Sequence, residues 1–203
     1  NDLLSKHLIN LNLEKNNINI NIIYNTKNLI KSDVLFILGH TKILDQNILN
    51  KNKLNLVVHE SNLPNGRGFS PIQWQLLDGK KKITVCLIEA KKKFDSGDII
   101  LRSKIIFNGT ELYEEIRLKQ AKVTIELIKK FAANYPNFKR IKQKGKATYF
   151  SRRLLKDSEL NIKKTILENF NLLRIGNNEA WPSYFIYKNK KYILKIYSGA
   201  KKD

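Results

Sequence analysis

One segment constrains this chain more than any other: Val57-Val58-His59-Glu60-Ser61-Asn62-Leu63-Pro64-Asn65-Gly66-Arg67-Gly68, followed by Ser70-Pro71 and Trp74. An apolar run stops at a single histidine and gives way to a loop broken by Pro and Gly. Such a junction is how a buried strand carries a side chain to the edge of a sheet. Downstream, Phe94-Asp95-Ser96-Gly97-Asp98-Ile99-Ile100 sets carboxylates in a second turn ahead of another apolar run. A strand-end imidazole and a turn carboxylate are the parts of an acyl or formyl transfer site.

The remaining patterning supplies the scaffold. Residues 2–15 carry leucines and isoleucines at helical spacing, and 18–22 alternate Ile with Asn as a half-buried strand does. The unbroken apolar run at 33–39 predicts a central parallel strand. A short helix is expected over 43–49, a strand over 55–58 and a helix over 71–77 with Pro71 in its first turn. Two further strands follow at 83–89 and 99–107. A turn at Asn108-Gly109-Thr110-Glu111 then opens a long helix, capped by Asn108 with Glu111 or by Thr110 alone. Its apolar stripe is Leu112, Ile116, Val123, Leu127 and Phe131, and Pro136 stands past its end. Strands alternating with helices argue for an α/β sheet covered on both faces.

From Phe138 the character changes, which divides the chain into 1–137 and an appendage at 138–203. The basic stretch 139–146 reads as a solvated loop, 147–150 as a short strand, and Ile162, Ile166, Phe170 and Leu173 as a helical stripe. Residues 184–197 read as a hairpin turning at 188–191, apolar enough to suit a dimer contact.

The single Cys86 lies inside the apolar run 83–88, where a lone thiol packs as a small apolar group. No apolar run is long enough to cross a bilayer and the start resembles no signal peptide, so a cytoplasmic protein with no membrane partner is expected. The chain has no methionine and opens on Asn1, the mark of a fragment or a processed chain. A formal charge of +20 invites a nucleic-acid reading. Its lysines, however, are spread along the chain, and the runs 80–82 and 91–93 adjoin turns. We read the charge as compositional bias, which still draws anionic small molecules.

For His59 alone, an imidazole bonded to a loop carbonyl is the plain alternative to catalysis, and for Asp95 a turn-stabilising role. Spacing does not choose between Asp95 and Asp98. Taken in order, however, His59-x-Ser61-x-Leu63-Pro64, Arg67-Gly68, Pro71, Trp74, Gly79 and Asp95-x-Gly97-x-Ile99-Ile100 resemble formyl-tetrahydrofolate-dependent formyltransferases. That family includes methionyl-tRNA, glycinamide ribonucleotide and sugar N-formyltransferases. Tail segments such as Tyr149-Phe150-Ser151-Arg152-Arg153 and Asn178-Glu179-x-Trp181-Pro182 look like the sugar-type branch.

The resemblance implies an α/β, Rossmann-like sheet with flanking helices and a small C-terminal α+β appendage. Asn1 falls near the family's first helix, which leaves that sheet without its first strand. It implies 10-formyltetrahydrofolate as formyl donor and the amine of a nucleotide-linked amino sugar as acceptor, in surface glycan (lipopolysaccharide) synthesis, with tRNA as the alternative acceptor. His59 would act at the formyl oxygen or move a proton, with Asp95 orienting it. Gly39, His40, Thr41, Ile43 and Leu44, with Asp95, would hold the pterin. Ser61, Asn62, Arg67, Arg152 and Arg153 would contact the acceptor, while Trp74 is expected in the core. No metal is expected. The family places an Asn two residues before the His, as a donor to the formyl oxygen. This chain has Val57 there, which leaves Asn62 or a backbone N–H to substitute, or the protein as a binding module without turnover.

Overall fold

The computed structural model describes residues 18–40 and 44–199. In chain order, strand β1 (Ser32–Ile37), helix α1 (Gln46–Leu49) and strand β2 (Asn52–His59) lead to the short strand β3 (Arg67–Gly68) and helix α2 (Pro71–Leu77). Strands β4 (Lys82–Glu89) and β5 (Ile99–Ile106) then precede the long helix α3 (Tyr113–Asn134). The tail adds β6 (Tyr149–Phe150), helix α4 (Ile166–Arg174) and a hairpin of β7 (Ser183–Tyr187) and β8 (Lys190–Leu194).

Among the described residues four strands form the central sheet, in the order β1-β2-β4-β5. Only β1 and β2 are parallel, joined through α1; β4 runs antiparallel to both β2 and β5. Strands β4 and β5 follow one another as expected, joined by residues 90–98, which hold turns but no helix. Such a short connection can only return the chain antiparallel. The run at 33–39 is not central: among the described residues β1 pairs with β2 alone. The alternation at 18–22 forms no strand, and Ile20 stays exposed. Alternating residues make a strand only where a neighbouring edge takes up the backbone N–H and C=O groups. The helix expected over 2–15 lies outside the described residues.

One face of the sheet carries the helices. Ile83 and Val85 of β4 and Ile105 of β5 pack with Phe107 against Ile72 and Leu76 of α2 and Ile116 and Leu127 of α3. Phe131, further along α3, covers Leu54, Leu56, Leu87 and Ile100. On the opposite face Cys86, Ile88 and Ile99 are covered by Leu63, from the loop after β2, with Val57 beside them. Cys86 is buried as expected, and burial pushes its thiol pKa up.

Helix α3 is capped later than expected, two residues after Thr110 and four after Asn108. Leu112 is its N-cap, and the Glu115 carboxylate accepts the Leu112 N–H at 2.9 Å. Glu111 serves the preceding turn instead, accepting the N–H groups of Asn108 (2.8 Å) and Gly109 (3.0 Å). It also receives Lys119 Nζ at 2.5 Å and faces Arg174 Nη1 at 3.6 Å. Arg174, fully buried at the end of α4, thereby pins the tail to the start of α3.

The hairpin turns over only two residues, Lys188 and Asn189, with φ of +46° and +61°. Two positive φ angles give the turn whose twist matches the strands it joins. No helix of the described residues is long and apolar enough to cross a membrane.

Candidate active site

The register of β2 decides where its side chains go. His59 lies opposite Cys86 and Val57 opposite Ile88, so both occupy the face away from α3, while Val58 joins the helix-covered face. The imidazole is 5 % exposed. Its Nε2 donates to the Gly66 carbonyl at 2.8 Å, and its Nδ1 stands 3.5 Å from Asp95 Oδ2. Two residues 36 positions apart in the sequence therefore converge on one point.

Asp95 is held from three sides. It adopts φ +49°, a left-handed conformation that Asp tolerates because its short polar side chain bonds locally. Its Oδ2 accepts the Gly68 N–H at 2.8 Å. Gly68 itself lies at φ +101°, and a Cβ there would stand 2.4 Å from the Phe150 carbonyl oxygen. Two residues beyond Asp95, a Cβ at Gly97 would come within 1.6 Å of the Glu89 carbonyl oxygen, so only glycine lets this turn close onto β4.

The third support comes from the tail. Gln143 Nε2 donates to the carbonyls of Asp95 (2.7 Å) and Gly97 (2.8 Å), while its Oε1 accepts from Arg67 Nε (3.2 Å) and Nη2 (2.6 Å). The stretch 139–146 is thus more than a solvated loop. Ile141 exchanges backbone hydrogen bonds with Ile99 at 2.8 and 2.9 Å, and β6 pairs in parallel with β3.

His59 and Asp95 line a cleft of about 380 Å³, within the size range of small-molecule sites. Its walls combine apolar groups, among them Leu38, Val57, Val58 and Ile88, with the backbone at Gly39 and Ala90. Arg117, Gln120, Ala121 and Thr124 of α3 close one side. There Arg117 donates to Gln120 Oε1 and Gln120 Nε2 donates to Glu60 Oε1, fixing the carboxylate next in sequence to His59.

Of the residues expected at the site, the cleft collects His59, Asp95, Gly39, His40 and Leu44. Thr41 and Ile43 lie outside the described residues. Ser61, Asn62, Arg67, Arg152 and Arg153 are not among the lining groups. Ser61 is buried, and its Oγ has no hydrogen-bond partner among the described residues. Asn62 is exposed, so it does not stand in for the amide missing at Val57. Arg67 is 8 % exposed and committed to Gln143, and it draws the Tyr149 phenol below its ordinary pKa. Arg152 stacks 4.5 Å over Phe69, a ring on the cleft wall. Arg153 Nη2 donates to the Asp157 carbonyl at 2.6 Å, and burial lowers its pKa. Trp74 is half-buried rather than in the core, with Nε1 donating to the Ser151 carbonyl at 2.8 Å.

Gln143, Glu60, Gln120 and Arg117 carry no motif that marks them in the sequence. For the α3 pair there is a signal of spacing alone: residues 117, 120, 121 and 124 follow i, i+3, i+4, i+7, a second stripe beside the apolar one.

Comparison with known proteins agrees with this architecture. The family model described as "Formyl transferase" matches residues 9–156. A methionyl-tRNA formyltransferase of Rickettsia massiliae is 30% identical over 179 residues, covering 87% of this chain and 58% of that protein. The chain thus spans little more than half the length of that relative. Among solved structures, a methionyl-tRNA formyltransferase from Clostridium thermocellum superposes with a TM-score of 0.67 at 25% identity, over 81% of this chain and 72% of the other. A sugar N-formyltransferase from a Shewanella species shares the fold, with a TM-score of 0.65 at 16% identity, over 84% and 71% of the two chains.

Proposed function

The chain belongs to the formyl transferase family, and from that premise we propose that it moves a formyl group from 10-formyltetrahydrofolate to the amine of a nucleotide-linked amino-deoxysugar. The observation that carries this reading is the pairing of His59 Nδ1 with Asp95 Oδ2, 3.5 Å apart at the wall of the cleft.

The cleft fits such a donor. Leu38, Val57 and Ile88 offer apolar contact to a flat bicyclic ring, and the nearby backbone at Gly39 and Ala90 offers hydrogen bonds to its edge. In the reaction the amine nitrogen forms a bond to the formyl carbon, and the bond from that carbon to the donor nitrogen breaks. One proton leaves the amine and one reaches the donor nitrogen. Asp95, held by the Gly68 N–H, is the acceptor that this chain supplies for the outgoing proton. His59, anchored through Nε2 to Gly66, carries a proton at Nδ1 between that carboxylate and the reacting oxygen or nitrogen. With Val57 in place of an amide, one oxyanion donor is missing, a loss of roughly a hundred- to a thousandfold in rate where nothing replaces it.

The sugar acceptor rests on the tail motifs, of which Tyr149-Phe150 is strand β6 and 178–182 lead into β7. A second reading, formylation of methionyl-tRNA, is favoured by the 30% identical relative and by the +20 charge. One assay decides between them. The protein is incubated with 10-formyltetrahydrofolate and either a panel of nucleoside-diphosphate 3- and 4-amino-deoxyhexoses or methionyl-tRNA, and products gaining a formyl group are read by mass spectrometry. Formylated sugar nucleotide is the expected product. Formylated methionyl-tRNA alone would replace the sugar reading, and donor binding without product from either would leave a folate-binding module.

A further inference from the structure

Two carboxylates of the cleft have no part in the mechanism above, and one of them, Glu89, is paired with Arg140 at 3.2 Å; the other is Glu60. Glu60 directly follows His59, lines the same cavity and is only half-buried. Its backbone carbonyl accepts from Gln75 Nε2 at 2.8 Å, which fixes the chain just beyond β2. Its side chain is oriented from across the cleft. Because Gln120 Oε1 is taken by Arg117, the amide of Gln120 can only turn its NH2 end toward Glu60. A neutral amide therefore stands between guanidinium and carboxylate, which orients Glu60 without cancelling its charge.

Resting on the amine-acceptor reading, we infer that Glu60 is the docking group for the acceptor's ammonium. Primary amines are protonated near neutral pH, and a cation entering a partly desolvated cleft needs an anionic partner. Glu60 takes the ammonium in and places its nitrogen beside His59 and Asp95, where a proton must be lost before attack. The Arg117–Gln120 relay acts on Glu60 and positions it. The same carboxylate discriminates against a hydroxyl at the acceptor position, which brings no charge.

The test compares the full chain with Glu60→Gln, Glu60→Asp and Gln120→Leu, using the amino-sugar nucleotide that turns over in the panel above and its hydroxyl counterpart. Glu60→Gln keeps an oxygen for Gln120 and removes only the charge. It should raise KM for the amine about 10- to 100-fold, the worth of a charged hydrogen bond, and leave KM for the folate within about twofold. The defect should shrink as pH rises past the pKa of the amine itself, since a neutral amine needs no counter-charge. The other charged or titratable groups of the cleft, His40, His59, Glu89, Lys91, Asp95 and Arg117, are the same in both proteins. Wild-type protein should bind the amine more tightly than the hydroxyl counterpart, and Glu60→Gln should not. Glu60→Asp should recover part of the loss, and Gln120→Leu should show a milder form of it. An unchanged amine KM in Glu60→Gln, or an equal loss for amine and folate at every pH, overturns the docking role while formyl transfer stands. If wild-type protein formylates no amine, the formyl-transfer reading falls and takes this inference with it.

Discussion

The backbone N–H of Gly68 donates to Asp95 Oδ2 at 2.8 Å, leaving that same oxygen 3.5 Å from His59 Nδ1. One carboxylate oxygen thus ties β3 to the turn before β5 and faces the imidazole as well. Asp95→Asn separates these duties. Asn adopts left-handed φ as readily as Asp and can still accept from Gly68. The thermal midpoint should therefore move little. Removal of the proton-accepting carboxylate should lower kcat/KM by about 10²- to 10⁴-fold. A variant with near-normal turnover and an intact fold would remove Asp95 from the mechanism.

Gln143 supplies the next layer. It bonds the Asp95 and Gly97 carbonyls on one side and the Arg67 guanidinium on the other. Gln143→Leu strips three partners at once and leaves Arg67 buried without its acceptor. We expect a loss of about 1–3 kcal/mol in stability, read by denaturant unfolding, together with reduced kcat as the turn carrying Asp95 loosens. Arg67→Lys should mimic part of this, since an ammonium cannot reproduce the two-pronged contact. Stability unchanged in Gln143→Leu would show that this network is incidental.

Val57 permits a test in the opposite direction. It lies in the cleft, two residues before His59 and on the same face, and packs with Leu63, Cys86, Ile88 and Ile99. Val57→Asn brings in the amide that the family pattern places there. A polar group against that apolar cluster should cost about 1–3 kcal/mol. Turnover should nonetheless rise, by about tenfold or more, because one oxyanion donor is worth 10²- to 10³-fold where it is preorganised. A fall in kcat with folding intact would mean that another group already fills that role.

What the sequence reveals and what it hides follow from the range of each interaction. The His59–Asp95 pair was legible because both residues stand where an apolar run meets a Gly-containing turn; that the 90–98 turn leaves β4 opposite Leu56 and folds back to reach His59 was not. The β7–β8 hairpin was legible for the same local reason, although its turn is tighter than expected. Gln143 was not legible: its partners Asp95 and Arg67 are 48 and 76 residues away, and nothing around it marks an amide that bonds across the fold. The alternation at 18–22 misled because it describes a surface ready to pair, and pairing depends on a neighbouring edge. Arg67 and Arg153 looked like substrate contacts because guanidinium groups bind phosphates; their observed partners, Gln143 and the Asp157 carbonyl, lie within the protein.

Acid stability should depend on Glu111. Burial, the largest single influence, pushes its pKa up, but donation from Lys119 and from the backbone of Asn108 and Gly109 outweighs it, and the carboxyl falls from an ordinary 4.5 to about 2. A carboxyl with a depressed folded-state pKa stabilises the fold above its unfolded pKa and loses that contribution as pH drops through the folded value. The shift corresponds to about 3 kcal/mol, present in full above pH 4.5 and lost between there and about pH 2. Glu111→Gln should remove that dependence. At neutral pH it should also cost about 3–5 kcal/mol, because Arg174, 3.6 Å away and buried, is left without its counter-charge. Urea titrations of both proteins from pH 2 to pH 7 measure the two effects together. Parallel stability curves across the acid range would show that Glu111 titrates as an ordinary carboxylate.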